Sequence, residues 1–355
     1  MTRFSAFDHA MMRRALELAA NGLFTTAPNP RVGCVVTRDE RIVGEGWHEK
    51  AGGPHAEAAA LEKAGAHAAG ATLYVSLEPC NHHGRTPPCA ELLIRRKIAR
   101  VVAAMRDPNP QAARGGEALA AAGIRFEDGL MEGEARELNL GFVSRMTRGR
   151  PWVRLKVAAS LDGRSALADG RSQWITGEAA RADAHRWRAR ACAILTGIGT
   201  VKADDPRLTV REVDTPRQPL RVIVDSRLET PAGARILEGE KVLVFSAREG
   251  ELANAEVLAL KNTHGKVDLP KMLEELARRG VNELHVEAGF RLNGSLVREG
   301  CVDEFLIYLN PSFVGEGQGM LDLAPLPSLE ERPRLRLLSL ERVGEDLRLV
   351  ARPAS

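Results

Sequence analysis

Apolar and polar positions follow two different patterns along the first 130 residues, one typical of helices and one typical of strands. At 6–21 apolar side chains such as Ala15, Leu18 and Ala19 recur every three or four positions, which predicts an amphipathic helix. Short apolar runs predict strands at 32–36, 42–47, 72–76, 101–104 and 124–126, with helices from 55, at 90–98 and at 115–122. A hairpin followed by alternating helices and strands predicts an α/β/α sandwich.

The second half of the chain repeats the strand-and-helix pattern after a basic, turn-rich run at 145–151. Strands are predicted at 152–158, 193–196, 220–225, 241–246, 257–260 and 283–286, a helix at 178–189, and a terminal hairpin at 335–340 and 347–351. Because 355 residues exceed the size of one ordinary core, we expect two domains, 1–148 and 149–355.

Composition narrows the classes of protein that are compatible with these elements. A hydrophobic content of 44% and a charged content of 27% are typical of a soluble globular protein. The net charge of +3 is small, and no aromatic residues interleave the basic run at 145–151, so we expect a linker there and no nucleic-acid partner. No apolar run reaches membrane-spanning length and the first residues do not resemble a secretory signal, so the predicted location is cytoplasmic, with no membrane partner.

The five cysteines do not suggest a disulfide framework, because the set is odd and sparse. Cys34, Cys192 and Cys301 lie in or beside apolar runs and are predicted to be small buried hydrophobic residues. Cys80 and Cys89 differ, since both lie in a loop rich in His, Asn and Pro.

One histidine and two cysteines form the clearest candidate for chemistry. His55, Cys80 and Cys89 offer nitrogen and sulfur ligands suited to zinc, and three protein ligands leave a fourth position for water. Glu57 lies two residues from His55 and is suited to carry a proton. On a helix these two residues point about 200° apart, so we expect the metal beyond the first turn of the helix, where both can reach it.

Cys89 is predicted to open the next helix, because it follows Pro87 and Pro88. The helix N-terminus should lower the pKa of its thiol and favour metal binding. A structural zinc remains an alternative, since His82 or His83 offers a fourth ligand.

The residues around these ligands resemble a known family. His55-Ala56-Glu57 and Pro79-Cys80 followed by the insert Asn81–Pro88 resemble the deaminase half of the bifunctional riboflavin-biosynthesis enzymes, members of the zinc-dependent cytidine-deaminase superfamily. The resemblance implies a deaminase-like sandwich and four substrate contacts: Asn29, His48, His82 and Arg85. Many relatives carry Lys at the position of Arg85.

A strand, a Gly-rich turn and a helix N-terminus follow one another at 283–295, which is an arrangement suited to phosphate groups. The signal is weak, because a generic loop explains Gly289 and Gly294 equally well. No Gly-x-Gly-x-x-Gly follows the first strand of either half, so a Rossmann domain is not supported.

The runs 156–163, 172–176, 200–208 and 286–289 resemble the reductase half of the same enzymes. This resemblance implies a dihydrofolate-reductase-like α/β fold and the cofactor NADPH. The implied NADPH contacts are Ala158, Trp174, Thr200, Asp204, Ser226, Gly289, Phe290, Arg291, Leu292, Asn293, Gly294 and Ser295. The implied substrate contacts are Ser172, Arg188, Leu208, Arg211 and Glu287, with Lys156 as a further candidate at the reacting group.

The residues alone leave other interpretations of these positions open. Trp174 is compatible with a core position, Asp204 with a helix cap and Arg188 with a solvated helix face. Arg188 and Arg211 are also suited to a ribose phosphate, and Trp174 to a flat wall beside nicotinamide.

The resemblance covers nearly the whole chain and implies two reactions on a small molecule. The first is zinc-dependent hydrolytic deamination of 2,5-diamino-6-(5-phosphoribosylamino)pyrimidin-4-one. The second is NADPH-dependent reduction of the ribosyl chain, which gives 5-amino-6-(5-phosphoribitylamino)uracil. It also implies a homo-oligomer. Two alternatives are a tRNA-editing deaminase fused to an RNA-binding module, and a non-catalytic scaffold stabilised by zinc.

Overall fold

The structure is a computed structural model that describes residues 4–83, 87–240 and 242–354. The chain divides into two compact units, Met1–Arg148 and Gly149–Ser355. Within the described ranges, no helix is long and apolar enough to cross a membrane.

The first unit contains a five-stranded sheet between two layers of helices. Its strands are β1 (Gly33–Arg38), β2 (Arg41–Trp47), β3 (Thr72–Val75), β4 (Arg100–Ala103) and β5 (Arg125–Asp128). Its helices are α1 (Ala6–Ala20), α2 (Ala56–Ala64), α3 (Cys89–Arg95), α4 (Gly115–Ala121), α5 (Glu132–Leu138) and α6 (Leu140–Arg148). The strand order is β2-β1-β3-β4-β5, and β3, β4 and β5 are parallel.

Alternation of side chains along the strands builds a core on each face of this sheet. Cys34, Val36, Leu73 and Val75 face α2, α3 and α4, whose residues Ala60, Leu61, Leu93 and Leu119 complete one core. Val35, Tyr74 and Val102 face the other way and pack against α1, α5 and α6. The predicted α/β/α sandwich is confirmed.

The second unit is built on a nine-stranded sheet in the order β11-β10-β9-β8-β12-β6-β13-β16-β15. The strands of this sheet are β6 (Trp152–Ser160), β8 (Ala193–Gly197), β9 (Leu220–Val224), β10 (Val242–Ser246), β11 (Ala255–Ala259), β12 (Glu283–Val286), β13 (Glu304–Asn310), β15 (Leu335–Val343) and β16 (Asp346–Pro353). Strands β7 (Arg164–Leu167) and β14 (Gly317–Gly319) pair in a separate two-stranded sheet. The helices are α7 (Glu178–Arg190), α8 (Ile198–Asp204), α9 (Leu269–Arg278) and α10 (Phe290–Arg298).

The sheet of the second unit is parallel from β11 to β13, while β16 and β15 add an antiparallel edge. One face packs against α9 and α10 through an apolar core that includes Leu155, Val286 and Leu296. Along β6 and β12 the alternate residues Arg154, Lys156 and His285 therefore belong to the opposite face of the sheet. That opposite face carries the buried charged side chains discussed below.

Some predicted elements differ from those observed. The run 145–151 was expected to be a turn-rich linker, but its first residues continue α6, because Phe142, Val143 and Met146 give that helix an apolar face against the core. The sequence patterns did not predict β13, α8 or α9. The predicted strand at 241–246 begins at Val242, since Lys241 lies outside the described residues. Cys34 and Cys301 are buried and Cys192 is half-buried, and none of the five cysteines forms a disulfide.

Candidate active sites

The predicted zinc ligands lie together in the first unit. The ligand atoms of His55, Cys80 and Cys89 are all within 4.8 Å of one another. The Nδ1 atom of His55 lies 3.2 Å from the Cys89 sulfur and 3.6 Å from the Cys80 sulfur. One imidazole nitrogen and two sulfurs at these separations form a donor set that fits zinc.

Three local features bring these ligands together. His55 is the N-cap of α2, and Cys89 is the first residue of α3 after Pro88, as predicted. Helix α2 lies close against β2 because Gly46 has no side chain: a Cβ atom there would be 2.5 Å from the backbone nitrogen of Ala60. Cys80 follows the carboxyl end of β3, where ligands bind in parallel sheets.

Glu57 is 4% exposed in the first turn of α2. Burial raises the pKa of its carboxyl, and the negative charge of Cys80 adds to the effect. A raised pKa makes a carboxylate a better proton acceptor, which suits a general acid/base.

The two thiols share a single negative charge. The hydrogen bond from Cys89 and the contact with His55 lower the pKa of Cys80 to about 4, despite its burial. The neighbouring Cys80 thiolate and burial raise the pKa of Cys89, and the lowering expected from the helix N-terminus stays a prediction. A metal ion would supply the positive charge that deprotonates the second thiol.

A cavity of about 440 Å³ lies over the ligands and is lined by three of the predicted substrate contacts, Asn29, His48 and His82. The Asn29 side-chain nitrogen donates to His48 Nε2 at 3.0 Å, and His48 Nδ1 donates to the Pro54 carbonyl at 2.9 Å. Burial lowers the pKa of His48, so its ring is neutral. The fourth predicted contact, Arg85, lies outside the described residues.

The geometry bears on the alternative of a structural zinc. His83 Nε2 lies 3.1 Å from Glu91, and His82 lines the cavity with its buried Nδ1 atom lacking a partner among the described residues. In the part of the chain that the structure describes, no fourth His, Cys, Asp or Glu joins the ligand set. A closed structural site needs four ligands, so this arrangement favours an open, catalytic one.

Several residues that line the cavity were not predicted from the sequence: Glu78, Asp107, Asn109, Phe142 and Arg145. Glu78 accepts hydrogen bonds from the backbone amides of Asp107 and Gly116, at 3.0 and 2.8 Å. It therefore fixes the segment after β4 against the segment that carries Cys80. Asp107 and Asn109 had a detectable signal, because they follow the carboxyl end of a predicted parallel strand.

In the second unit, Arg188 and Glu287 form a bidentate ion pair, with separations of 2.5 and 2.7 Å. Both side chains are about 14% exposed, so Arg188 is not on a solvated helix face. Burial raises the pKa of Glu287, but Arg188 holds it well below its ordinary value. The pair brings α7 to the end of β12, where the resemblance places substrate contacts.

Two further predicted substrate contacts lie near this pair. Lys156 is close enough for its charge to act on Glu287, and burial lowers the pKa of its amine. The backbone nitrogen of Arg211 donates to His185 Nδ1 at 3.3 Å. Burial, followed by the charges of Arg188 and Arg211, lowers the pKa of His185 to about 4. The sequence analysis did not predict His185 or the nearby His285.

Two of the predicted NADPH contacts, Thr200 and Gly289, form a close pair. A Cβ atom on Gly289, the N-cap of α10, would lie 3.5 Å from Thr200 Oγ1. Gln173, the residue before Trp174, donates a hydrogen bond from its side-chain nitrogen to Asp204 Oδ1 at 3.2 Å. Trp174 is 71% exposed with Arg181 against its ring, so it is not a core residue. Asp204 is the last residue of α8, where a carboxylate does not cap a helix.

The remaining predicted contacts are more dispersed. Asn293 and Gly294 are buried against the segment 320–322, since a Cβ on Gly294 would lie 2.2 Å from the Asp322 carbonyl oxygen. Leu208 belongs to an apolar cluster, and Ser226 accepts from the Val267 amide at 3.2 Å. Ala158 is in β6, Ser172 is half-buried in the loop before α7, and Phe290, Arg291, Leu292 and Ser295 are in α10. These residues are therefore spread over several elements of the second unit.

Two protein families match the chain. Residues 5–105 match the cytidine and deoxycytidylate deaminase zinc-binding region, and residues 151–349 match the RibD C-terminal domain. The riboflavin biosynthesis protein RibD of Escherichia coli is 45% identical over 96% of this chain and 98% of its own length. The Aquifex aeolicus protein of the same name is 44% identical, over 96% of this chain and 97% of its own length.

Solved structures show the same similarity. RibD of Acinetobacter baumannii is 43% identical, with a TM-score of 0.93 over 98% of this chain and 99% of that one. A Thermotoga maritima protein, described as a diaminohydroxyphosphoribosylaminopyrimidine deaminase and 5-amino-6-(5-phosphoribosylamino)uracil reductase, is 34% identical with a TM-score of 0.89 and the same coverage. The predicted fold class, a cytidine-deaminase-like sandwich followed by a dihydrofolate-reductase-like α/β domain, is confirmed. The chain belongs to the RibD family of bifunctional riboflavin-biosynthesis enzymes.

Proposed function

We propose that this chain performs two consecutive reactions of riboflavin biosynthesis, with residues 1–148 as the deaminase and 149–355 as the reductase. The first releases ammonia from 2,5-diamino-6-(5-phosphoribosylamino)pyrimidin-4-one by hydrolysis. The second uses NADPH to reduce the ribosyl chain to ribityl, giving 5-amino-6-(5-phosphoribitylamino)uracil. The zinc-binding deaminase family, the RibD reductase family and the near-complete coverage by RibD relatives support this order of activities.

The observation that carries the deaminase proposal is the placement of buried Glu57 beside the His55, Cys80 and Cys89 ligands, at a cavity of about 440 Å³. Zinc held by these three residues would activate water for attack on the ring carbon that bears the amino group. Glu57 takes a proton from the attacking water and gives it to the departing amine, so that ammonia leaves. Asn29, His48, His82 and Arg85 are the proposed substrate contacts.

For the reductase, NADPH would supply the hydride, which needs an electrophilic carbon such as the one exposed when the ribose ring opens. Thr200 in α8 and Gly289 at the start of α10 lie close together and are proposed cofactor contacts, as are Trp174 and Asp204. Arg188, Glu287, Lys156 and Arg211 are the proposed contacts with the sugar phosphate. Two arginines and a lysine suit a phosphate, and the protein's own task is to position the substrate.

We also propose a cytoplasmic location and a homo-oligomeric state. Edge strand β15 supports self-association, because it exposes four leucines, Leu335, Leu337, Leu338 and Leu340, by 41 to 55%. Exposed apolar edge strands pair with other chains unless they are covered. Cell fractionation tests the location, and light scattering of the whole chain should give a mass above that of a monomer.

The deaminase proposal is tested by Glu57→Gln, which keeps the shape of the side chain but cannot carry the proton. Ammonia release from the diaminopyrimidinone should fall by at least about 100-fold. Reduction of the deaminated intermediate by NADPH should stay at the wild-type rate, because Glu57 belongs to the first unit. Glu62→Gln, an exposed position on the same helix, is the matched control and should retain both activities.

Retention of ammonia release by the Glu57→Gln variant would show that Glu57 is not the acid/base. If neither the wild type nor the variant releases ammonia from any amine substrate, the non-catalytic scaffold is favoured. If the wild type releases no ammonia from the pyrimidine substrate but deaminates RNA, the proposed substrate is wrong and the RNA-editing alternative is favoured.

A further inference from the structure

His285 lies in the middle of β12, between Leu284 and Val286, which both face the apolar core. Its own side chain is on the opposite face of the sheet and is 0% exposed. In the strand register it is paired with Arg154 of β6 and with Ile194 of β8. A histidine in the centre of a parallel sheet is therefore placed among buried charges.

Neither ring nitrogen of His285 makes a well-aligned hydrogen bond within the described residues. Its Nε2 atom lies 3.3 Å from Glu287 Oε1, at the long end of the hydrogen-bonding range. Leaving buried polar atoms unsatisfied costs free energy, so such a group in a native protein needs an explanation. Hydrogen bonds at active sites are often long before substrate binds and tighten in the complex.

The surroundings determine the protonation state of this ring. Burial lowers the pKa of His285, and the charges of Arg154 and Arg188 add to the effect, while Glu287 opposes it. The ring is therefore neutral and carries one N–H group. Because Nε2 faces a carboxylate and Nδ1 has no partner, the proton belongs on Nε2.

Arg188 already binds both oxygens of Glu287. Lys156 also acts on Glu287, so the carboxylate lies among three groups that influence its position. His285 adds a directed donor to this set without adding charge.

We propose that His285 is a positioning residue for the reductase, whose Nε2–H fixes Glu287 Oε1 when the sugar-phosphate substrate binds. This inference rests on the proposed function, in which Glu287 contacts the substrate. His285 itself touches neither substrate nor NADPH. It acts by holding Glu287, and through it Arg188, in the geometry that receives the sugar phosphate.

Two amide variants test the inference, because they differ only in reach. The side-chain nitrogen of His285→Gln extends as far as Nε2, whereas that of His285→Asn extends only as far as Nδ1. The Gln variant should keep near-wild-type NADPH oxidation with the deaminated intermediate. The Asn variant should lose about tenfold in kcat/KM, the effect of losing one hydrogen bond to a charged group. Ammonia release by the first unit should be unchanged in both preparations.

Equal reductase rates in the Gln and Asn variants, whether both high or both low, would overturn the inference. Equal losses would assign His285 to folding alone. The Glu287→Gln variant distinguishes failure of the His285 inference from failure of the proposed role of Glu287. If Glu287→Gln reduces the intermediate at the wild-type rate, the proposed role of Glu287 fails. If that variant is slow while His285→Asn matches the wild type, only the positioning role fails.

Discussion

The surroundings of Asp107 disfavour the negatively charged form of its carboxyl group. It lies half-buried in the wall of the deaminase cavity, where its Oδ1 atom accepts the backbone amide of Asn109 at 2.8 Å. Burial raises its pKa from 3.8 to about 7, and the negative charges of Glu78, Cys80 and Glu57 add to the effect. Native Asp107 thus keeps a proton over a pH range in which the unfolded chain has lost it.

Replacing Asp107 by asparagine should stabilise the first unit at alkaline pH. Below pH 3.8 both states of the wild type are protonated, so the variant should gain nothing there. From about pH 4 to pH 7 the unfolded wild type binds fewer protons than the native state, so its stability falls. The advantage of the Asp107→Asn variant should grow over this range and then level off. Thermal unfolding of the wild type and Asp107→Asn at pH 5 and pH 8 measures this. A variant that is less stable than the wild type at pH 8 would contradict it.

At the residue scale, the sequence predicted the groups whose chemistry is carried by a local motif. The short motifs His-x-Glu and Pro-Cys, each of which lies within a few residues of sequence, identified the group His55, Glu57, Cys80 and Cys89. His185, His285 and the raised pKa of Asp107 were missed because they depend on neighbours that are distant in sequence. The effect of Cys80 on the pKa of Cys89 was also missed, since it depends on the separation of two sulfurs.

At the scale of elements, close contact between helix and sheet determines where α1 and α2 lie. Gly33 in β1 and Gly46 in β2 have helices directly over their Cα atoms. A Cβ atom on Gly33 would lie 2.0 Å from the Ala15 carbonyl oxygen and 2.6 Å from the Ala19 nitrogen of α1. Those atoms belong to the helix backbone and cannot rotate away.

We expect Gly33→Ala to destabilise the first unit by roughly 2 kcal/mol or more, because α1 must move away from the sheet. Gly133→Ala is the matched control: this exposed glycine lies in α5 with no heavy atom within 4 Å of the added methyl. Alanine favours a helix, so the control should gain up to about 1 kcal/mol. Calorimetric unfolding of both variants measures the difference. A loss of stability in the control, or none in Gly33→Ala, would contradict this account of the packing.

The elements that the sequence predicted share a simple pattern. Helix α1 has a regular apolar spacing, β1 and β8 have short apolar runs, and apolar residues alternate with polar ones along β6 and β12. Strand β13 was missed although residues 305–309 form an apolar run. Its Glu304 and Tyr308 are buried with an ion-pair partner and a hydrogen-bond partner, which the sequence pattern does not reveal. Helix α6 was missed because its basic end was interpreted as a linker.

At the scale of the whole molecule, two units carry two different kinds of site. The first holds a compact His–Cys–Cys cluster beside a buried carboxyl group, and the second holds a buried layer of paired charges along α7 and the sheet. The order of the units matches the chemistry proposed for them, because the reductase consumes the product of the deaminase. The prediction of a deaminase domain and a reductase domain rested on family resemblance, because the Gly-rich turn alone did not distinguish a cofactor site from a loop.

One time course tests the central claim that both reactions occur on this chain in this order. Zinc-loaded wild-type protein would be given the diaminopyrimidinone ribosyl phosphate and NADPH, with ammonia and NADPH followed in the same reaction. We predict that ammonia appears first, that NADPH oxidation follows after a lag, and that the two totals reach one to one. Oxidation of NADPH without release of ammonia, or release of ammonia with no later oxidation of NADPH, would contradict the claim.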